Sequence, residues 1–244
     1  MLIVELLVVK TKGNVVNSTD LGLRTYDLGL KKTCTYQLVC PSLPRHFTHI
    51  VMETRERIIS ALFQDVRLHG FQGLRADKVI VDLGITKGAL YHYFPSKKEI
   101  GATIIDEVLY PMYTEFYERL DLVEGDPVPA LQEHLRWHAG ICDDQEAVLG
   151  CPLNNLVQEM SPLDETFRLK LNKIVGKMQR SIMEALRRGQ AMGVLKPTFD
   201  CDTVAWFYLS SLEGSYSMAK VSKSGTVFKR SIQQLIYFLE TLKA

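Results

Sequence analysis

The chain has 244 residues, 46% hydrophobic and 23% charged, proportions of a globular protein with enough apolar material for one large domain or two modest ones. No apolar run reaches the roughly 20 residues a bilayer requires, and five cysteines without CxxC spacing speak against a disulfide framework and for free thiols in a reducing cytoplasm. Net charge is only +1, but it is unevenly spread: residues 1–51 carry six Lys/Arg against three Asp/Glu, 52–98 carry eight against five, and the remainder 15 against 20. A basic head on an acidic body fits DNA contact confined to one end.

Leu2 to Val9 is apolar, yet it lacks a basic leader and is short for a signal-peptide core. Residues 11–49 carry Gly, Ser, Thr and two prolines with no sustained period. Two readings stay open for 1–51. Either translation starts at Met52 and this extension is a mis-assigned start, or it is an arm whose Lys31, Lys32 and Arg45 reach the minor groove.

From Thr54 to about Leu68, Ile58, Ile59, Leu62, Phe63 and Val66 trace one apolar stripe of a helix. His69-Gly70 ends it, and Phe71 tucks back into the same core. Ala76 to Leu83 is a second, short helix with Val79, Ile80 and Leu83 at helical spacing. Gly84 sits where a helix ends in the left-handed region, and Ile85 anchors the turn into Thr86. Thr86 caps a third helix. Its Leu90 and Phe94, four apart, share the buried side, with Tyr93 packed beside them. Lys87, Gly88, Tyr91 and His92 then face outward. A cation, a missing side chain and two hydrogen-bonding rings suit a polyanion whose backbone must come close. Helix, tight turn, helix is the helix-turn-helix arrangement, whose second member enters the major groove.

Three segments, Thr54-Arg-Glu-Arg-Ile-Ile, Gly84-Ile-Thr-Lys-Gly-Ala-Leu-Tyr-His-Tyr-Phe and Pro95-Ser-Lys-Lys-Glu, resemble the DNA-binding domain of the TetR-type (TetR/AcrR) transcriptional regulators. The resemblance covers about Thr54 to Ile105 and is most specific in the middle segment. It implies an all-α homodimer that binds operator DNA and releases it when a small molecule enters the second domain. Helix two departs from the family pattern: Leu74 and Arg75 stand where a Ser or Thr usually caps its start, so Arg75 or Lys78 takes over the phosphate contact. Lys87 reaches a base or phosphate, and Gly88 lets the backbone approach a base edge. Tyr91 and His92 hydrogen-bond phosphate oxygens, and the Thr86 hydroxyl adds another such contact. Ser96 and Glu99 form a capping box opening the fourth helix, with Lys97 in its first turn facing a phosphate. Lys98 reads as a solvated charge.

Helix four continues to Leu120, interrupted by Pro111, which removes one hydrogen bond and bends the axis. Val128 to Ile141 is helical, with Leu131, His134, Leu135, His138 and Cys142 along one side. His134, His138 and Cys142 have spacing that brings two or three metal ligands together, and satisfied core histidines are the competing reading. Gly150 to Met160 resembles a segment of one large branch of the family; its Asn154, Asn155 and Gln158 need partners inside or a ligand. Phe167 to Leu186 forms a long amphipathic helix ended by Gly189 to Gly193. Asp202 to about Lys220 and Thr226 to about Lys243 follow, their apolar seams fitting either a four-helix dimer interface, as the resemblance implies, or burial within one chain. Candidates for the effector pocket are Tyr113, Phe116, Trp137, His138, Cys151, Asn155, Met178 and Trp206.

The expected organisation is therefore an extension over 1–51, a helix-turn-helix domain over 52–98 and a helical effector-binding and dimerisation domain over 99–244. The expected function is a cytoplasmic, ligand-responsive regulator that is not an enzyme and needs no cofactor or metal. It represses from a pseudo-palindromic operator and is released by a small molecule. The alternatives are a metal-dependent helical enzyme built on His134, His138 and Cys142, and a DNA-architectural dimer without an effector.

Overall fold

A computed structural model describes residues 9–11, 14–16 and 53–244. The first two segments form a small antiparallel ladder, β1 (Val9–Thr11) and β2 (Asn14–Val16), with Val9 opposite Val16. The extension's arm with Lys31, Lys32 and Arg45, the start at Met52, and Cys34 and Cys40 lie outside the described residues.

Residues 53–244 are helical. The head comprises α1 (Thr54–Gly73), α2 (Ala76–Asp82) and α3 (Lys87–Tyr93). Next come α4 (Lys97–Thr103), a π-helical segment (Ile104–Leu109) and α5 (Tyr110–Leu120). The body continues with α6 (Val128–Ile141), α7 (Asp144–Leu149), α8 (Pro152–Met160) and α9 (Glu165–Ala191), and closes with α10 (Cys201–Ser222) and α11 (Gly225–Glu240). Among these residues no helix is long and apolar enough to cross a membrane.

The stripe on α1 is buried as the spacing predicts: Ile58, Ile59, Leu62, Phe63 and Val66 all lie in the core. Instead of stopping at Leu68, the helix kinks at Gly70 (φ 77°, ψ 167°) and runs one further turn to Gly73. Phe71 on that turn meets Phe167 of α9 at 4.8 Å between ring centroids, which seats the head on the body. Gly84 has φ 68°, the left-handed turn expected between α2 and α3.

Pro111 does interrupt the fourth helix, and the way it does so is specific. The π-helical segment lies immediately before α5, which has the proline in its first turn, and Tyr110 N–H bonds back to Ile105 O. The wider ring shifts the ladder by one residue, so the position lacking an N–H falls where a new helix begins. Glu107 and Asp106 on this segment reach out to Arg55 and Lys170.

The seams of the last two helices are used within the chain. Ala205, Leu209, Leu212, Tyr216 and Ala219 of α10 are buried, as are Phe228, Ile232, Leu235 and Leu239 of α11. What these helices leave outside is a second apolar set: Trp206, Phe207, Met218, Val221 and Tyr237 are 45–77% exposed.

Candidate nucleic-acid interface and buried polar cluster

The surface of α3 follows from its caps and two apolar anchors. Thr86 is extended (φ −79°, ψ 154°) and its Oγ1 accepts from Ala89 N–H at 3.2 Å, which fixes the first turn and leaves the hydroxyl proton free to donate outward. Leu90 and Phe94 are buried to 0% and 1% exposure. Burying those two turns Lys87, Gly88, Tyr91 and His92 to solvent, with Tyr91 48% exposed. The nearest outside atom to a Cβ built on Gly88 is 3.9 Å away, so this side of the helix is open to close approach.

Tyr93 corrects the sequence reading: it is 39% exposed rather than buried, its ring edge-on to His92 at 5.4 Å and tilted 6.3 Å from that of Phe94. One residue before an extended C-cap, it lies on the helix flank while the chain turns Phe94 inward. Lys87 Nζ donates to Asp77 Oδ2 of α2 at 2.6 Å, and this bond raises the ammonium pKa. The pair holds α3 against α2 and keeps the ammonium at the surface. Arg75 and Lys78 are exposed at the start of α2. That helix has no side-chain cap, as the missing Ser or Thr predicts; instead Arg75 N–H donates to Asp65 Oδ2 at 3.2 Å.

Lys97 has a protein partner where a phosphate was expected. Its ammonium donates to Gln72 O at 2.8 Å and lies 5.4 Å from the Phe71 ring centroid. A carbonyl at the end of α1 has no helical N–H to accept from, and a cation four residues after Tyr93 is within its reach. Ser96 Oγ accepts from Glu99 N–H at 3.1 Å. Lys98 is not merely solvated: it pairs with Asp164, the N-cap of α9, at 2.7 Å.

Head and body are joined by polar bonds as well as by Phe71. Arg55 forks onto both Glu107 oxygens at 2.6 Å. Arg67 Nη2 meets Glu146 of α7 at 2.6 Å. Glu159 of α8 accepts from the Phe71 and Gln72 N–H groups at 2.8 and 2.7 Å, capping the turn that restarts after Gly70. None of these was found from sequence, since the partners lie 52 to 88 residues apart. The short α7 was missed too, although Asp143 and Glu146 three residues on carry a cap signature, and Asp143 Oδ1 accepts from Gln145 and Glu146 N–H.

In the body the eight pocket candidates separate. Tyr113, Phe116, His138 and Cys151 belong to one buried polar cluster. Tyr113 Oη lies 3.2 Å from Cys151 Sγ, and Phe116 stacks on His134 at 3.9 Å. Of the remaining four, Trp137 meets the His138 ring edge-on at 4.9 Å from the outer side of the cluster, and the other three do not join it. Trp137 and Trp206 are 52% and 45% exposed, each on the outer side of an amphipathic helix. Met178 is a core residue of α9, and Asn155 is tied to Leu149 O and Lys220 Nζ at 2.7 and 3.0 Å.

His134 and His138 form a directed chain rather than a metal site. Tyr208 O–H donates to Leu131 O at 3.3 Å, so its oxygen accepts from His134 Nδ1–H at 2.8 Å. His134 Nε2 then accepts from His138 Nε2–H at 3.1 Å, and Tyr216 O–H donates to His138 Nδ1 at 2.7 Å. Burial lowers both imidazole pKa values, His138 to about 4, so both rings are neutral. All four ring nitrogens are satisfied. Cys142 stands apart, its Sγ 4.0 Å from Asp143 O and its thiol pushed up to about 11 by burial. Among the described residues no group of three His, Cys, Asp or Glu is placed to hold a metal ion, so the enzyme alternative loses the constellation it rested on.

Glu213 of α10 was overlooked, although a lone carboxylate between Leu212 and Tyr216 on an apolar helix is a visible signal. Burial pushes its pKa up to about 7, and it interacts with Cys151. Glu213 Oε2 and Tyr117 Oη are both shut from solvent and unpartnered among the described residues. The Cys151 thiol is pushed well up by burial and by Glu213, which argues against a reactive thiolate.

Comparison with known proteins agrees with this geometry. Residues 58–102 match the family described as bacterial regulatory proteins, tetR family, and residues 127–235 match the tetracyclin repressor-like C-terminal domain. The chain is similar to an uncharacterized HTH-type transcriptional regulator in the lacX 3' region of Lactococcus lactis subsp. lactis, 27% identical over 75% of this chain and 91% of the relative. It is also similar to the HTH-type transcriptional repressor DhaR of Mycobacterium sp. (strain GP1), 22% identical over 70% of this chain and 84% of that one. The crystal structure of the regulatory protein TetR from Rhodobacter sphaeroides superposes with a TM-score of 0.62, at 25% identity, over 74% of this chain and 95% of that one. With the reading helix, the helical body and both halves of the family accounted for, the chain belongs to the TetR family of transcriptional regulators.

Proposed function

We propose that this protein is a dimeric, ligand-responsive transcriptional repressor that reads operator DNA with α3 and lets go when a small molecule binds the body. The observation that carries this reading is the outward face of α3. Lys87, Gly88, Tyr91 and His92 are exposed on a rod whose other side is locked by Leu90 and Phe94. Tyr91, His92 and the Thr86 hydroxyl take phosphates, Lys87 and Gly88 meet a base edge, and Arg75 and Lys78 extend the phosphate track along α2. The apolar set on α10 and α11 supports dimerisation, since Trp206, Phe207, Met218, Val221 and Tyr237 form a surface that a second copy covers. Paired heads then address successive major grooves of a pseudo-palindrome. The repressor sense follows relatives such as DhaR.

Tyr113, Phe116, His138 and Cys151, with Tyr117 and Glu213, are the proposed effector contacts. A ligand that donates to Glu213 Oε2 and accepts from Tyr117 O–H satisfies two buried atoms that are unpartnered among the described residues. Binding there acts by population shift, favouring a spacing of the two heads that no longer fits DNA. The test is binding to DNA from the gene's own upstream region. Tyr91→Phe should weaken affinity several-fold for all sequences alike, whereas Lys87→Ala should also relax sequence preference. Unchanged binding in both variants would remove α3 from the interface.

A further inference from the structure

An opening in the chain lies away from the effector contacts. It is a cleft of about 510 Å³ where α1 of the head meets α8 and α10 of the body, within the usual range for small-molecule sites. Its floor is apolar, with Phe63, Val66, Ile104 and Leu156 among the lining residues. Its polar edge carries two cations, Arg67 and Lys220. The one carboxylate in the lining, Glu159, is already spent on the Phe71 and Gln72 N–H groups.

Arg67 is the distinctive member. Its side chain is only 6% exposed, and one arm is committed to Glu146 at 2.6 Å. Its Nε–H is shut from solvent and has no partner among the described residues. A buried guanidinium N–H without an acceptor costs free energy that an anionic ligand would recover. Lys220 Nζ, bonded to Asn155 Oδ1 at 3.0 Å, supplies a second donor.

We propose that this cleft is a second ligand site, separate from the aromatic cluster, for a small amphipathic anion. The ligand is a carboxylate with a short hydrocarbon body: the head group takes Arg67 Nε–H and Lys220, and the body lies on the apolar floor. Because the lining belongs to both head and body, occupancy stiffens the junction through which α3 is aimed. It bears on regulation whichever ligand the aromatic cluster accepts.

Calorimetric titration of the full chain with octanoate, octanol and inorganic phosphate tests this. Octanoate should bind saturably with unit stoichiometry, and octanol and phosphate at least about tenfold more weakly, the worth of one charge-assisted bond or of the apolar contact. Lys220→Met removes a surface cation and should weaken octanoate about tenfold. Leu68→Trp, at a 61% exposed position on the rim, should block the cleft without disturbing the core. Equal binding of octanol would overturn the anion assignment. Equal binding of phosphate would reduce the site to a nonspecific cation pair. Octanoate binding that survives both variants would place the ligand elsewhere. DNA affinity of the unliganded chain, measured alongside, is independent of all three outcomes and keeps this proposal separate from the repressor reading.

Discussion

Glu159→Ala is the sharpest perturbation of how the head is held. The carboxylate takes two backbone N–H groups, from Phe71 and Gln72, at 2.8 and 2.7 Å, on a turn that starts after the Gly70 kink and has no preceding helix to serve it. Hydrogen bonds to a charged acceptor contribute about 1.5–3 kcal/mol each when buried. Gln72 is exposed, so water can rescue its N–H; the Phe71 N–H, beside a buried ring, has no such recourse. The net loss should therefore be about 2–4 kcal/mol, which for a chain of this size lowers Tm by roughly 5–15 °C. Glu159→Gln keeps an acceptor oxygen and should lose about half as much. Urea unfolding of both variants, followed by far-UV circular dichroism, measures this. A loss below about 0.5 kcal/mol for the alanine variant, or equal losses for both, would show that α8 does not hold the kinked turn.

Gly101→Ala tests close packing of α4: a Cβ there would lie 2.3 Å from Phe167 Cζ and 2.6 Å from Phe71 Cε2, so one methyl should cost about 1–3 kcal/mol or more by denaturant unfolding. Glu213→Gln tests the buried carboxyl by its pH dependence. Its folded pKa is raised to about 7, so the folded state binds its proton more tightly, and a penalty on folding builds up as pH rises from about 4.5 to about 7 and stays constant above. The variant should be more stable than the parent by up to about 3 kcal/mol at pH 8, an advantage that disappears as pH falls to about 4.5; a pH-independent difference would contradict the assignment. His138 shifts the opposite way, to about 4. The unfolded chain protonates this residue first, and its contribution to stability is lost as pH falls from about 6.5 towards 4. His138→Gln should flatten that part of the stability profile. Tyr208→Phe removes the hydroxyl that sets the direction of the imidazole chain and should cost about 1–2 kcal/mol.

The reading helix was legible because its determinants are local. Thr86 caps it, Leu90 and Phe94 define its inner side, and Gly84 makes the turn before it, all within eleven residues. The α6 boundaries and the apolar stripe of α1 were legible for the same reason. Periodicity marks an apolar face but not its partner. Trp206, a pocket candidate by spacing, lies 45% exposed at the surface, because a helix whose outer side is also apolar gives two faces of similar appearance. The seams of α10 and α11 were right as faces, yet they pack within the chain and leave Trp206 and its neighbours for the surface. Bonds such as Glu159 to Phe71 and Arg55 to Glu107 depend on helices that meet only after folding, so neither partner carries a local signal. The π-helical turn before Pro111 was half visible: the proline announced a disruption, and the packing of Ile104, Ile105, Val108 and Leu109 decided its form.

Everything functional depends on the outer side of α3 meeting a duplex. The most direct measurement is fluorescence anisotropy of a labelled duplex from the gene's own upstream region, titrated with the full chain at salt from about 50 to 300 mM. The account predicts tight binding with a steep negative slope of log affinity against log salt, and in Tyr91→Phe, whose lost hydroxyl carries no charge, a several-fold weaker affinity at an unchanged slope. Affinity that ignores both salt and Tyr91 would contradict it.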